Sequence, residues 1–281
     1  MENLGYYNGT YGPLETMTVP MNDRACYFGD GIFEVAYVRN YRIYSAEEHM
    51  DRLYESAREL GIRIPLTKEE FLQLLSELVR KVDSHEQLLY WQVSRGTAMR
   101  AHAPEEELCG NIWVTIRPKK LASTYEPMKL ITVEDKRFYF CHMKTLNLLP
   151  TVLASQEAQR RGADEAIFHR SGRVTECAHS NISIIQEDGS VKTAPADHLI
   201  LAGIARGHFL RTCREFGVPV YEEPYTVEEL MRAREVIVTS SGTLCRPAVS
   251  VDGIPVGGRS PELLRRLQDA LFQDFLQKTE I

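Results

Sequence analysis

Short alternating apolar runs at 17–20 and 32–38, broken by the turn signal Gly29-Asp30-Gly31, predict two strands near the start of the chain. The run Ser45-Ala46-Glu47-Glu48 fits a capping box, and Leu53, Ala57 and Leu60 then recur at helical spacing until Gly61 stops the pattern. A second capping box, Thr67 with Glu70, opens another predicted helix whose apolar positions Phe71, Leu74, Leu75, Leu78 and Val82 form one face. Strand-like runs follow at 88–94 and 111–117. Between 117 and 127 the run RPKKLASTYEP loses periodicity and carries a basic pair and two prolines, as an interdomain connection would. Beyond it the pattern predicts strands at 130–134, 165–168, 181–186, 235–239 and 248–251, with helices at 146–161, 204–216, 227–234 and 261–277. The chain therefore reads as an α/β protein of the α+β type: a small N-terminal domain over 1–118, a linker over 119–127 and a larger C-terminal domain over 128–281. No internal repeat is visible.

Composition narrows the function class. A length of 281 residues suits two packed domains, and 43% hydrophobic with 26% charged residues excludes a disordered or collagen-like chain. A net charge of −6 argues against nucleic acid or an anionic membrane as the main partner, since both need a basic footprint. No apolar run approaches the roughly 20 residues that span a bilayer, and the start of the chain resembles no export signal, so a cytoplasmic protein is expected. The six cysteines are scattered without a C-x-x-C pair and the eight histidines form no H-E-x-x-H pattern, so neither a disulfide framework nor a metal site is expected.

Lysine is scarce, nine residues against twenty-four arginines, and eight of the nine fall on helix surfaces or among polar residues. Lys144 differs, because it lies within FYFCHMKTLNLLPTVL, where desolvation would depress an ammonium pKa as a Schiff-base lysine requires. Taken alone, a lysine snorkelling at a helix start explains it better. Two further clusters change the weighing: Gly203-Ile204-Ala205 leads a helical pattern, and Thr239-Ser240-Ser241-Gly242-Thr243 follows a strand, so backbone N–H groups and hydroxyls could cradle a phosphate. Each alone is also an ordinary helix start or polar loop.

On these residues the chain resembles the fold-type IV pyridoxal phosphate enzymes, the class IV aminotransferases, and among them the bacterial D-amino acid aminotransferases. The likeness covers nearly the whole chain: Tyr27-Phe28-Gly29-Asp30-Gly31 with Glu34, EHMDRLYESA from Glu48, VSRGTAMRAH from Val93, KTLNLL from Lys144, Thr175-Glu176 with Ser180-Asn181, the stretch 201–204, and VTSS from Val238. It implies a two-domain fold with pyridoxal 5'-phosphate at the domain interface, a homodimer, and ping-pong exchange between D-amino acids and 2-oxo acids.

The resemblance also implies roles. Lys144 would anchor the cofactor and carry the proton at the substrate Cα. Glu176 would keep the pyridine nitrogen protonated. Arg52 would grip the phosphate with the N–H groups of Ile204 and Ala205 and with Ser240 and Ser241. Arg100 and His102, two residues apart on an extended loop, would converge on the substrate carboxylate, the feature that separates D-specific enzymes from their relatives. Three departures stand out: Phe33 where the D-specific enzymes have a tyrosine, Ala205 where the family has a threonine, and Cys177-Ala178-His179 in place of the small residues usual after the glutamate. Phe33 keeps an L-branched-chain aminotransferase open as an alternative, with an aminodeoxychorismate lyase-like enzyme beside it. A non-catalytic cofactor-binding protein is the alternative from another class.

Overall fold

The computed structural model describes residues 1–104 and 107–280, so Glu105 and Glu106 of the polar run at 100–107 lie outside the described residues. The chain forms two compact units, Met1–Leu121 with Met143–Asn147 and Leu276–Ile281, and Ala122–His142 with Leu148–Phe275. The first unit thus takes in Lys144 and its neighbours, a segment that sequence reading assigns to the second domain.

In the first unit β1 (Leu4–Tyr7), β2 (Thr10–Gly12), β3 (Gly31–Arg39), β4 (Arg42–Ile43), β5 (Glu86–Ser94) and β6 (Asn111–Pro118) form one sheet in the order β2-β1-β6-β5-β3-β4. β3 and β5 pair antiparallel along their whole length, Gly31 opposite Ser94 and Arg39 opposite Glu86. Helices α1 (Arg24–Phe28), α2 (Ala46–Leu60) and α3 (Lys68–Val79) complete the unit. The apolar stripes expected on the last two are buried with the sheet: Met50, Leu53, Phe71, Leu75 and Leu78 pack with Ile32, Val38 and Trp91. At about 1.5–3 kcal/mol for each large apolar side chain, this burial sets α2 against β3 and α3 against α2.

Two local expectations need correction. The Thr67 capping box is present, with Thr67 Oγ1 accepting from the Glu70 N–H and Glu70 accepting from the Thr67 N–H. The Ser45 box is not: Ser45 is left-handed at φ 55°, makes no side-chain cap bond, and its hydroxyl is buried without a partner. A capping hydroxyl must leave an extended backbone to reach N3, which that conformation prevents. The expected strand at 17–20 is irregular chain, and the strands ahead of it are the hairpin β1–β2.

The second unit holds β7 (Met128–Glu134), β8 (Glu165–Arg170), β9 (Arg173–Cys177), β10 (Asn181–Ile185), β11 (Val191–Thr193), β12 (Val220–Glu222), β13 (Glu235–Ser240), β14 (Leu244–Val251) and β15 (Ile254–Pro255). Their order is β12-β11-β10-β13-β14-β7-β8-β9, with β15 on β14. Helices α4 (Leu149–Arg160), α5 (Ile204–Glu215), α6 (Val227–Arg232) and α7 (Pro261–Lys278) surround this sheet, and among the described residues no helix is long and apolar enough to cross a membrane. The sheet runs nearly apolar on both faces at β8, β10 and β13, as strands covered on both sides do.

Candidate functional site

In the first unit the motif residue Glu34 is fully buried on β3, where an unpaired carboxylate would be costly. Two α2 side chains one turn apart satisfy it. Arg52 donates Nε to Oε1 and Nη2 to Oε2, both at 2.7 Å, and His49 Nδ1 lies 2.7 Å from Oε2. Burial raises the Glu34 pKa, but the Arg52 guanidinium and the His49 hydrogen bond outweigh it and hold the carboxyl down to about 2. Burial pushes His49 the other way, down from its ordinary value, so the imidazole is neutral at pH 7 and Nδ1 carries the donated proton. Arg52 therefore does not lie on a solvated face. Its side chain is 14% exposed and its guanidinium is fixed in a bidentate fork, while the neighbouring Asp51 pairs with Lys68.

Lys144 lies beside this cluster. Its segment is not the start of a helix but an extended addition to β3: the Phe33 N–H donates to the Lys144 carbonyl at 2.9 Å, Leu146 donates to Gly31 at 3.0 Å, and Thr145 bridges Ile32. The ammonium stands 4.3 Å from the centre of the Phe33 ring, and its charge reaches far enough to help keep His49 neutral. Phe33 is buried and stacked on Tyr90 at 5.5 Å, so the position that carries a tyrosine hydroxyl in D-specific enzymes presents a ring face to the lysine here.

Arg100 and His102 are exposed on the loop after β5. Both meet the ring of Phe28, the Arg100 guanidinium at 5.2 Å and the His102 ring at 5.3 Å. Three of the predicted residues of this unit thus lie at two aromatic rings, Arg100 with His102 at Phe28 and Lys144 at Phe33, while Arg52 is held by Glu34.

In the second unit Glu176 ends β9 and is buried. Donors from three segments converge on it: Arg137 Nη1 on Oε1 at 2.5 Å, and Asn181 Nδ2 and the Leu201 N–H on Oε2, each at 3.0 Å. Arg137 is itself held by Asp135, which accepts its Nε and Nη2 at 3.0 Å, and these two carboxylates hold its pKa above the ordinary guanidinium value despite burial. Asn181 also donates to the Leu201 carbonyl at 2.9 Å, which aligns the chain entering α5. That entry has no room for a side chain at Gly203, where a Cβ would collide with Asn181 Oδ1. Gly203 provides no capping side chain, so the first-turn N–H groups at Ile204 and Ala205 lack intrahelical acceptors at the positive end of the helix. Ser240 Oγ and Thr243 Oγ1 lie 2.9 Å apart in the turn that contains Ser241. The preceding Thr239 stands opposite Asn181 in the β10–β13 register, and its hydroxyl is buried with no hydrogen-bond partner.

His179 is mostly exposed. Its Nδ1 lies 3.2 Å from Glu165, a buried carboxylate that also accepts the His179 N–H and the Ser180 hydroxyl. The sequence assigns no role to Arg24, Arg137 or His49, although His49 lies within the EHMDRLYESA motif: their partners include the Ala101 and His102 carbonyls for Arg24, Glu176 for Arg137 and Glu34 for His49, none at a recognised spacing.

Residues 31–251 match the profile of the family described as Amino-transferase class IV. A D-alanine aminotransferase of Listeria monocytogenes serotype 4b (strain F2365) is 36% identical over 94% of this chain and 93% of its own length. The D-alanine aminotransferase of Bacillus licheniformis is 35% identical over 97% of both chains. Among solved structures, the branched-chain aminotransferase of Thermoproteus uzoniensis with norvaline superposes with a TM-score of 0.90 at 24% identity, covering 99% of this chain and 96% of that one. The branched-chain amino acid aminotransferase from Escherichia coli gives 0.88 at 24% identity over 100% and 96%. A further branched-chain amino acid aminotransferase, solved with pyridoxamine 5'-phosphate, gives 0.89 at 23% identity over 98% and 94%. At that identity the structures speak for the fold. The family profile spans most of the chain and the sequence relatives align nearly end to end above one third identity, so the chain belongs to the class IV aminotransferase family.

Proposed function

We propose that this aminotransferase moves the amino group of a D-amino acid to a 2-oxo acid by a ping-pong route, of the type D-alanine with 2-oxoglutarate giving pyruvate and D-glutamate. The observation that carries the reading is the meeting of Arg100 and His102 on one exposed loop over Phe28, in a chain 36% and 35% identical to the two D-alanine aminotransferases above. A guanidinium and an imidazole so placed suit a carboxylate.

The cofactor is pyridoxal 5'-phosphate, which when bound supplies a carbonyl for the amino group and an electron-accepting ring. The residues present fit it in kind: an amine beside an aromatic ring, a buried carboxylate, an uncapped helix start, and a buried threonine hydroxyl awaiting a partner. Lys144 would anchor the cofactor and move the proton at the substrate Cα. Glu176, ionised beside Arg137, would hold a proton on the ring nitrogen. Arg52 would bind the phosphate with the Ile204 and Ala205 N–H groups and the hydroxyls of Ser240 and Ser241. Phe33 would border the substrate without donating a hydrogen bond. A branched-chain enzyme is the second reading, favoured by Phe33 alone.

The same proposal includes a cytoplasmic homodimer. Leu149, Val152 and Leu153 leave an exposed apolar stripe along α4 that a second copy would cover, and light scattering should give twice 32.1 kDa. Separate D- and L-amino acids supplied with 2-oxoglutarate test the activity. Oxo-acid formation is expected from the D series; turnover of L-leucine or L-valine in preference to D-alanine would replace this reading with the branched-chain one.

A further inference from the structure

Arg24 is 4% exposed, yet none of its side-chain bonds serves a helix or a sheet ladder. Its Nε donates to Asp30 at 2.8 Å, Nη1 to the Ala101 carbonyl at 2.6 Å and Nη2 to the His102 carbonyl at 3.0 Å. Its guanidinium also lies 4.9 Å from the centre of Phe28, the ring on which Arg100 and His102 meet. We infer that Arg24 is a positioning residue that holds the Arg100–His102 loop in the conformation that receives the substrate carboxylate, an inference that rests on the assignment of that pair proposed above.

The surroundings make this role specific. Asp30 also accepts Nε of Arg95, through both of its oxygens, and Arg95 spends its remaining donors on the Gly61 and Leu60 carbonyls at the end of α2. Asp30 is therefore a hub with two guanidinium arms, one gripping the end of α2 and the other gripping the loop tip. Without Arg24, Asp30 keeps a cationic partner and α2 keeps its clamp, so the loss falls on residues 101 and 102. The loop's near end is secured separately: the Gly96 carbonyl accepts the Arg24 N–H at 2.9 Å, Ala98 donates to the Asn22 carbonyl at 3.1 Å, and Asn111 Nδ2 donates to Thr97 Oγ1 at 2.8 Å. The tip that bears the two recognition side chains depends instead on the Arg24 fork. A lysine would keep the charge toward Asp30 but could not span two carbonyls.

The test is a double-mutant cycle on the holoenzyme with Arg24→Met, Arg100→Ala and both together, alongside Arg24→Lys. Readouts are KM and kcat for D-alanine, affinity for pyridoxal 5'-phosphate, and the melting temperature. Arg24→Met should raise KM for D-alanine roughly ten- to a hundred-fold, as displacement of a recognition group does, with kcat and cofactor affinity within about twofold. In the Arg100→Ala background it should add almost nothing, because both changes disable one loop. Arg24→Lys should fall between wild type and Arg24→Met, and it keeps the test decisive if the methionine variant does not fold. Additive effects in the cycle, or a KM unmoved by both Arg24 variants while Arg100→Ala raises it, would overturn the role of Arg24. An Arg100→Ala enzyme with unchanged D-alanine kinetics would instead overturn the carboxylate assignment itself.

Discussion

Glu34 and Glu176 are both buried carboxylates facing a guanidinium, yet they are held in different ways. Glu34 takes its donors from two residues of one helix, so it staples α2 to β3 and aims Arg52. Glu176 draws on residues 137, 181 and 201, so it stands at the junction of three segments, one of which leads into α5. A buried carboxylate can thus be satisfied within one pairing of helix and strand, or by tying together segments that meet only in the tertiary fold. Loss of the first kind should fall on stability, and loss of the second should displace the segments that it joins.

The contrast can be broken most forcefully at Glu34. Glu34→Gln leaves the Arg52 guanidinium without its counter-charge in a buried setting and should cost about 3–5 kcal/mol of stability, read by chemical denaturation. A loss under about 1 kcal/mol would mean that the pair is not a staple. Acid sharpens the same point. The Glu34 carboxyl is depressed from 4.5 to about 2 in the fold, so its stabilisation is complete above the unfolded value and disappears as pH falls toward about 2. The depressed pKa of His49 acts in the same sense, since acid charges a group that is buried neutral. Stability measured across that range should fall less steeply in Glu34→Gln than in wild type.

Glu176→Gln is the counterpart. It should lower kcat roughly a hundredfold, as removal of a preorganised electrostatic partner does, while costing less stability than Glu34→Gln. Equal single-turnover rates in mutant and wild type would remove Glu176 from the chemistry. A smaller effect is expected at the exposed pair, where Arg100→Ala forfeits one charge-assisted contact of about 1.5–3 kcal/mol, seen in kcat/KM for D-alanine and not in the melting temperature. The smallest compares the two helix starts: Thr67→Ala should cost about 1 kcal/mol, and Ser45→Ala should cost next to nothing because its hydroxyl caps nothing.

Those two helix starts also mark how far the sequence could be read. Both carry a hydroxyl residue followed three positions later by glutamate, and the pattern cannot reveal that Ser45 is left-handed after a two-residue strand. Period and length made the stripes of α2, α3, α5 and α7 legible, as they did the long strands β3, β5 and β6. The hairpin β1–β2 escaped notice although Asn8-Gly9 is a turn pair with both φ angles positive, at 43° and 93°, because its flanks are aromatic and glycine rather than plainly alternating. At the site, the candidate residues came from motifs, but their partners did not. Arg52 reads as a surface arginine until Glu34, eighteen residues earlier, is folded against it. Arg24 and Arg137 bind distant carbonyls and carboxylates, and no local spacing encodes a contact that only the tertiary fold creates.

A single-turnover experiment reads the stereochemistry of amino-group transfer without dependence on the acceptor. Purified holoenzyme mixed with D-alanine alone should release up to one pyruvate per protomer, and L-alanine should release far less in the same time. Pyruvate formed faster from L-alanine, or from neither enantiomer, would contradict the assignment of this chain as a D-amino acid aminotransferase.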